Sequence, residues 1–236
     1  GVIPARYYSS RFEGKVLAML AGKPMVQHVW EQAKKSSLLE DLIIACDDER
    51  VYKAVKEFGG KAVFTAKEHT SGSERLVEVI NPLDVAVVVN IQADEPMIHQ
   101  SMIDDVVRVL LEDQTLVVAT VMKKIERVRE VDDPHVVKVV FDKHHFALYF
   151  SRYSIPFVRD KGLTDVVHYK HIGLYGYTKD FLFTYKTLGE SNLERLEKLE
   201  QLRILENGYR IKLVETKHET FGVDTPDDLE KVRHYL

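Results

Sequence analysis

The sequence has a single cysteine, Cys46, among its 236 residues. One cysteine excludes an internal disulfide and any all-cysteine metal site, and it suits a reducing compartment, so we expect a cytoplasmic protein. Long hydrophobic runs are also missing, since stretches such as 85–89 and 116–122 fall well short of the ~20 apolar residues that a membrane helix needs. The chain does not open on a charged segment followed by an apolar one, so no secretory signal is expected.

No tract of lysine and arginine is present, and the charges nearly balance. The 33 lysine and arginine residues face 37 aspartate and glutamate residues, which gives a formal net charge of −4. A dedicated nucleic-acid-binding protein needs a basic surface, so neither nucleic acid nor a membrane is an expected partner. The composition, 45% hydrophobic and 30% charged, is typical of a soluble globular protein with a sizeable core.

Through the first half of the chain, short apolar runs alternate with stretches whose apolar residues recur at helical spacing. The predicted strands span 1–4, 42–46, 61–64 and 85–92, and the predicted helices span 25–36, 48–58, 72–80 and 101–112. Asp48 and Ser101 are the expected N-caps of two of these helices. The alternation predicts an α/β fold with a doubly wound, mostly parallel central sheet, and strand 85–92 is expected near its centre.

After about residue 115 the pattern changes to strands with fewer helices between them. Strands are predicted at 116–122, 135–141, 146–150, 172–177 and 210–215, and helices at 180–188, 193–206 and 226–236. The segment Asp142-Lys143-His144 is typical of a turn in a hairpin. Thr225 followed by Pro226 indicates the start of the last helix. We therefore expect a single domain over 1–236 with a small inserted strand-rich lobe at about 125–180.

The loop after the first predicted strand is rich in positive charge. Residues 4–15 include Arg6, Arg11 and Lys15 against one acid, Glu13. In a doubly wound sheet this loop lies at the carboxyl edge, where ligands bind, and arginine, lysine and backbone N–H groups hold phosphates. The spacing matches neither Gly-x-x-x-x-Gly-Lys-Ser/Thr nor Gly-x-Gly-x-x-Gly. The loop predicts an anion site, with a solvated turn carrying scattered cations as the alternative.

Two aspartates are candidates for holding a metal ion. Asp94 follows the predicted central strand, and Asp224 precedes the last predicted helix. Mg²⁺ binds through one or two carboxylates together with phosphate oxygens, so these acids beside a basic loop favour a metal–triphosphate site. The structural alternatives are a turn for Asp94 and helix capping for Asp224. The histidines show no zinc-like spacing.

Two further segments allow either a ligand contact or a structural role. Asp47 ends the second predicted strand, and it either contacts the sugar or base of a nucleotide or caps the following helix. The run 69–75 places small hydroxyl side chains and Arg75 at a predicted helix start. Such a start binds an anion or a base edge through backbone groups, or it forms a capping box.

Together these segments resemble the 3-deoxy-D-manno-octulosonate (KDO) cytidylyltransferases along nearly the whole chain. The order and spacing of the motifs carry the resemblance more than any single motif does. The motifs are IPARYYSSRFEGK at 3–15, GKPM at 22–25, the acid of CDDERV at 46–51, SGSERL at 71–76, VNIQADEPMI at 89–98, VKVV at 137–140, ALYFSRYSIPF at 147–157, HIGLYGY at 171–177, LEQLRILENGYRI at 199–211 and GVDTPDDLEKVR at 222–233.

The resemblance implies a nucleotide-diphospho-sugar transferase-like, Rossmann-like fold and transfer of CMP from CTP to the anomeric hydroxyl of KDO, with release of diphosphate. It also implies a homodimer that uses Mg²⁺, with the lobe at the interface and on the sugar side, and a product destined for lipopolysaccharide or capsule. The implied nucleotide-binding residues are Arg6, Ser10, Arg11, Lys15, Ser71 and Gly72. The implied substrate-binding residues are Arg75, Gln92, Arg152, His171, Tyr175, Glu200 and Gln201. Lys15, Asp94 and Asp224 would be catalytic, and the two aspartates would hold Mg²⁺.

Three positions depart from the family pattern: Glu13 and Val16 each replace a proline, and Ala93 replaces a glycine. A positive φ at position 93 would cost alanine roughly 1 kcal/mol, and Glu13 would add like-charge repulsion near the phosphates. Two alternative functions follow. One is a cytidylyltransferase for another acidic sugar, such as sialic acid, and the other is a catalytically silent nucleotide-binding homologue.

Overall fold

The computed structural model describes residues 1–9, 12–67, 69, 72–160, 162–163 and 166–235. In this part of the chain the strands are β1 (Val2–Ala5), β2 (Met19–Leu20), β3 (Lys23–Pro24), β4 (Ile43–Cys46), β5 (Lys61–Phe64), β6 (Val87–Asn90), β7 (Val118–Lys124), β8 (Lys138–Phe141), β9 (Ala147–Ser151), β10 (Tyr169–Thr178) and β11 (Lys212–Glu215). The helices are α1 (Met25–Ala33), α2 (Glu49–Glu57), α3 (Gly72–Ile80), α4 (Gln100–Glu112), α5 (Arg129–Asp132), α6 (Lys179–Thr187), α7 (Asn192–Glu197), α8 (Gln201–Glu206) and α9 (Pro226–Arg233), and a 3₁₀ turn spans Lys15–Leu17.

The main sheet has the strand order β11-β7-β10-β6-β1-β4-β5. Neighbouring strands in this order are parallel except at β10, which is antiparallel to both β6 and β7. The expectation of a mostly parallel sheet is therefore confirmed. The strand predicted at 85–92 corresponds to β6, which lies at the centre of the order as expected.

The segment at about 125–180 divides between an extension of the sheet and the sheet itself. β8 and β9 form an antiparallel hairpin around the predicted turn at Asp142, and β8 pairs with β10. β10 instead lies inside the central sheet, so the predicted lobe does not contain it as a separate element. Because β10 runs against β6 and Tyr175 pairs with Asn90, the last residue of β6, the part of β10 before Tyr175 extends past the carboxyl end of β6.

Apolar side chains alternate between the two faces of the sheet. Ile3 and Ile44 pack in one layer with residues of α1, α2 and α4, while Val2 and Ile43 pack in the other with residues of α3, α6 and α8. Strands buried on both faces need helices on both sides, which is the doubly wound arrangement predicted. No helix in the described ranges is long and apolar enough to cross a membrane.

The helix starts are set by local side-chain bonds. The Asp48 carboxylate accepts a hydrogen bond from the Arg50 backbone N–H at 2.9 Å and caps α2, and Thr225 forms a capping box at the start of α9, as predicted. The predicted cap at Ser101 is wrong. The cap of α4 is His99, whose Nδ1 accepts from the Ser101 backbone N–H at 3.2 Å.

The single helix predicted at 193–206 is two helices, α7 and α8. Lys198 adopts a left-handed conformation with φ of 54°, and its backbone N–H donates to the carbonyl of Glu194. A residue in this conformation ends an α-helix, because the next N–H no longer points along the helix axis. The break turns residues 199–201 toward the carboxyl edge of the sheet, where they line a cavity.

Candidate active site

Two cavities adjoin at the carboxyl edge of the parallel strands, and Gly72 and Gln92 line both. The loop cavity, about 430 Å³, is lined by Pro4, Arg6, Tyr8, Ser9, Lys15, Val16, Gly72, Gln92, Ala93 and Asp94. The β10 cavity, about 250 Å³, is lined by Gly72, Ser73, Asn90, Gln92, His171, Gly173, Tyr175, Tyr177, Lys198, Leu199, Glu200 and Gln201. A depression of about 590 Å³ lies at the opposite edge, beside the β8–β9 turn and the start of β11, away from these residues.

Lys15 lies between the two aspartates predicted to hold a metal ion. Its Nζ is 2.5 Å from Asp94 Oδ2 and 3.1 Å from Asp224 Oδ1. The 3₁₀ turn that carries Lys15 follows Gly14, whose φ of 67° favours glycine. Burial disfavours the ammonium, but the charge of Asp94 and the hydrogen bonds to both carboxylates outweigh it and raise the pKa of Lys15 above its ordinary value. A charged lysine therefore joins the two acids.

The two carboxylates come from separate segments that a backbone hydrogen bond ties together. The Val223 N–H donates to the Asp94 carbonyl at 2.9 Å and so sets Asp224 beside the loop after β6. Both carboxylates contact one cationic group, and hard oxygen donors suit Mg²⁺, so the residues fit the predicted ion. In the described part of the chain, no group of three or more histidine, cysteine, aspartate or glutamate residues could hold a metal. An ion here would need further oxygen ligands from substrate or water.

Glu95, the neighbour of Asp94, is an acid that resists ionisation. Burial and the charge of Asp94 raise its pKa to about 8, although a hydrogen bond with Thr220 opposes the shift. Its Oε2 is closed to solvent and has no hydrogen-bond partner among the described residues. Glu95 is therefore largely neutral near pH 7.

A β-bulge shapes the side of the β10 cavity that β10 forms. The pairing of β10 with β7 shifts register between Ile172 and Tyr175. The Thr120 hydroxyl donates to the Leu174 carbonyl at 2.8 Å and lies 3.0 Å from His171 Nε2. Burial lowers the pKa of His171 to about 3, so its ring is neutral at physiological pH. His171 can hydrogen-bond a ligand hydroxyl, but it does not offer a positive charge to a carboxylate.

The break between α7 and α8 supplies the other wall of the β10 cavity. The Ser73 hydroxyl of α3 donates to Glu200 Oε2 at 3.1 Å. Burial raises the pKa of Glu200, and the bond from Ser73 opposes this shift. Asn90 Oδ1 and Gln201 Nε2 are buried without a hydrogen-bond partner in the ranges that the structure covers. Because buried polar atoms are normally hydrogen-bonded, these two atoms favour a polar ligand here.

The arginines predicted to bind anions lie in three different environments. Arg6 lines the loop cavity, with 44% of its side chain exposed. Arg75 is fully buried and contacts residues at the ends of β4 and β5 instead of either cavity. The predicted contact of Arg75 with a sugar carboxylate disagrees with this enclosed position. Arg152 donates to three backbone carbonyls, among them that of Lys198 beside the β10 cavity, and its contact with a sugar stays a prediction.

Most of the other predicted site residues come together at the two cavities. Arg6, Lys15, Gly72, Gln92 and Asp94 line the loop cavity, and Gln92, His171, Tyr175, Glu200 and Gln201 line the β10 cavity. Ser10, Arg11 and Ser71, predicted to bind nucleotide, lie outside the described residues.

The departures from the family pattern are accommodated without backbone strain. Ala93 is buried in the core layer with Ile91, and its φ is not positive, so the strain considered for alanine there does not arise. Val16 is buried and lines the loop cavity. Glu13 is exposed to solvent, where high dielectric weakens its repulsion of bound anions.

Sequence reasoning did not single out Asn90, Ser73 or Thr120. Asn90 had a usable signal, since it is a polar residue at the carboxyl end of the central apolar strand. Ser73 lies within the SGSERL segment, in which the resemblance implies ligand contacts only for Ser71, Gly72 and Arg75. Thr120 had no signal, because its contacts depend on a bulge in the neighbouring strand.

The fold and the paired acids beside a basic loop define the chain as a nucleotidyltransferase. The family model described as "Cytidylyltransferase" matches residues 1–213. The 3-deoxy-manno-octulosonate cytidylyltransferase of Geotalea uraniireducens (strain Rf4) is 50% identical over 244 residues, which cover 100% of this chain and 97% of that protein. The chain therefore belongs to the cytidylyltransferase family, among the 3-deoxy-manno-octulosonate cytidylyltransferases.

Further relatives agree with this placement. The 3-deoxy-manno-octulosonate cytidylyltransferase of Solibacter usitatus (strain Ellin6076) is 52% identical over 232 residues, covering 98% of this chain and 92% of that protein. A solved CMP:2-keto-3-deoxy-manno-octonic acid synthetase complexed with CTP is 43% identical, with a TM-score of 0.93 and coverage of 99% of this chain and 96% of that one. A putative glucose-1-phosphate thymidylyltransferase from Bacillus anthracis shares the fold at 16% identity, with a TM-score of 0.70 and coverage of 99% and 93%.

Proposed function

We propose that this protein transfers CMP from CTP to the anomeric hydroxyl of KDO and releases diphosphate, in the cytoplasm, for lipopolysaccharide or capsule synthesis. The observation that carries the proposal is the contact of two unlike cavities at Gly72 and Gln92. One is lined by Arg6, Lys15 and Asp94, and Asp224 pairs with the same lysine, which suits a metal–triphosphate. The other is lined by polar groups such as Asn90, His171 and Gln201, which suit a sugar, together with Lys198 and Glu200. The named activity of the family supports these two substrates.

The reaction needs positioning and charge neutralisation more than covalent chemistry. The anomeric oxygen forms a bond to the α-phosphorus, the bond from the α-phosphorus to the bridging oxygen breaks, diphosphate leaves, and the hydroxyl proton passes to solvent. Arg6 and Lys15 bind phosphate oxygens, and Gly72 lies beside the cytosine. Asp94 and Asp224 would hold Mg²⁺, which when bound withdraws charge from the α-phosphate and lowers the pKa of the attacking hydroxyl.

In the β10 cavity the residues orient the sugar. Gln92 lines both cavities, so its amide is placed to contact the sugar near the reacting phosphate. Asn90 Oδ1 accepts from a sugar hydroxyl and Gln201 Nε2 donates to one, which satisfies two of the three buried polar atoms of this cavity that lack a partner among the described residues, the third being the Tyr175 hydroxyl. The neutral ring of His171 contributes a hydrogen bond without a charge.

We also propose a homodimer formed through the segment at about 125–180. Leu148, Tyr153, Phe157 and Leu163 expose 62%, 77%, 83% and 61% of their surface. Exposed apolar side chains in one segment favour a protein contact, and a second copy of the chain is the partner. Sedimentation equilibrium should give the mass of a dimer, and Leu148→Lys should shift it toward a monomer. A wild-type monomer at micromolar concentration would contradict this part of the proposal.

Diphosphate release from CTP plus KDO, with and without Mg²⁺, tests the activity. Release should need both substrates and the metal. Asp94→Asn and Asp224→Asn should lose most turnover while keeping the wild-type unfolding midpoint, and Asp84→Asn, which changes an exposed acid outside both cavities, is the control. Wild-type turnover in either site variant contradicts the metal assignment. Release with sialic acid but not KDO would favour the other sugar class, and CTP binding without release from any acidic sugar would favour the silent homologue.

A further inference from the structure

The fully buried guanidinium of Arg75 ties α3 to the ends of two strands. Its Nη2 donates to Asp47 Oδ2 at 3.1 Å, and its Nη1 donates to Thr65 Oγ1. The Thr65 hydroxyl in turn donates to the Cys46 carbonyl at 3.1 Å. Asp47 thus does not cap α2, since Asp48 does, and it does not line either cavity. Asp47 is the buried partner of Arg75.

The same carboxylate also contacts the loop that lines the loop cavity. Asp47 Oδ1 accepts from the Tyr7 backbone N–H at 3.2 Å, and the Tyr7 carbonyl accepts from Gly14 N at 2.8 Å. The guanidinium of Arg50 lies 3.4 Å from the centre of the Tyr7 ring. These contacts fix Tyr7, and therefore they fix the backbone of Arg6, which precedes it and faces the cavity.

Arg75 and Arg6 share one oxygen of Asp47. Asp47 Oδ2 lies 3.1 Å from Arg75 Nη2 and 3.8 Å from Arg6 Nε. A buried carboxylate needs a hydrogen-bonded counter-charge, and Arg75 supplies it at hydrogen-bond distance. Arg6, at the longer distance, keeps 44% of its side chain exposed toward the cavity. If Arg75 were removed, Arg6 would be the cation nearest to this carboxylate among the described residues.

We propose that Arg75 is a positioning residue for nucleotide binding: it neutralises Asp47, so that Arg6 faces the phosphates instead of pairing with Asp47. This inference rests on the proposed function only in taking CTP as the nucleotide. This role differs from that of a sugar-binding residue, because a substitution of Arg75 would weaken nucleotide binding and leave the sugar cavity intact.

The test measures CTP affinity without sugar, by calorimetry, and the KM for KDO at saturating CTP. Arg75→Met should weaken CTP binding by about tenfold and change the KM for KDO by less than about twofold. Arg75→Lys, which keeps the charge, should restore part of the affinity. Arg75→Met combined with Asp47→Asn should bind CTP more tightly than Arg75→Met alone, because no buried charge is left to attract Arg6. Arg108→Met, on the exposed face of α4, is the matched control.

A double-mutant cycle between Arg75 and Arg6 tests whether the effect of Arg75 on CTP affinity acts through Arg6. Arg75→Met should have little further effect in an Arg6→Met background, since the residue that Arg75 protects is already gone. Equal losses in both backgrounds, or a double variant no better than Arg75→Met, would mean that Arg75 only packs. A raised KM for KDO with unchanged CTP affinity would restore the sugar-ligand role. If wild type binds CTP but does not use KDO, the proposed function fails while these CTP measurements still decide the role of Arg75.

Discussion

Replacing Glu95 by glutamine should stabilise the protein in a way that depends on pH. Glu95 is half-buried beside the Asp94 carboxylate with its Oε2 closed to solvent, and its pKa is raised to about 8. A folded-state pKa above the unfolded value means that stability is fully present below the unfolded pKa and is lost as pH rises through the folded one. Glutamine has the size of the neutral acid and does not ionise, so Glu95→Gln should escape this loss.

The size of the effect follows from the two pKa values. With an unfolded pKa of 4.5 and a folded pKa of about 8, wild type loses about 1.4 kcal/mol per pH unit between them. The upper limit of the difference at pH 7 is therefore about 3 kcal/mol. Part of the residue reaches solvent, which screens the Asp94 charge and reduces the expected difference to about 1–2 kcal/mol.

Urea unfolding at pH 5, 7 and 8.5, without metal or nucleotide, measures this difference. The free energy of unfolding of Glu95→Gln minus that of wild type should be small at pH 5 and should grow toward pH 8.5. Glu57→Gln removes an exposed carboxylate at the end of α2 and should show no such trend. A difference for Glu95→Gln that is constant across the three pH values would refute the argument that Glu95 is held neutral by burial.

Three further outcomes are expected from urea unfolding. Gly176→Ala should destabilise by about 1–3 kcal/mol, because its Cβ would lie 2.5 Å from Val106 Cγ1 and 2.8 Å from Leu110 Cδ1; Gly189→Ala, where an added Cβ meets nothing within 4 Å, should not. Thr225→Ala should cost about 1 kcal/mol by removing the cap of α9, and Thr225→Ser should retain most of it. His171 is protonated below pH 6.5 in the unfolded chain but stays neutral in the folded protein down to about pH 3. As the pH falls below 6.5, the free energy of unfolding of wild type should therefore decrease faster than that of His171→Gln, by up to about 1.4 kcal/mol per pH unit. Parallel curves of unfolding free energy against pH would contradict this.

Local patterns in the sequence predicted those parts of the fold that depend on neighbouring residues. β5 and α3 have the predicted bounds, and the caps at Asp48 and Thr225 form because each side chain bonds to a backbone N–H two or three residues away. The prediction of one continuous helix at 193–206 was wrong, because the first helix ends at Lys198. Its apolar pattern continues through the break, and a left-handed lysine has no reliable signal in sequence.

The site was predicted in part, and the reason is distance along the chain. Motifs located Lys15, Asp94 and Asp224, but the bonding of Lys15 to Asp224 spans 209 positions and exists only once the sheet has formed. The role of Arg75 could not be settled from its motif, because a guanidinium beside a helix start suits an external carboxylate or an internal one equally well.

The sequence by itself determined which residue types stand at the carboxyl ends of β1 and β6, and the order and spacing of its motifs carried the resemblance to the family. The tertiary structure decided which charges meet. Asp47 takes Arg75 as its partner because folding buries both, and a buried charge must be neutralised where it lies. Arg6 is consequently left facing the cavity, and that choice between two arginines is made by packing, which local sequence does not encode.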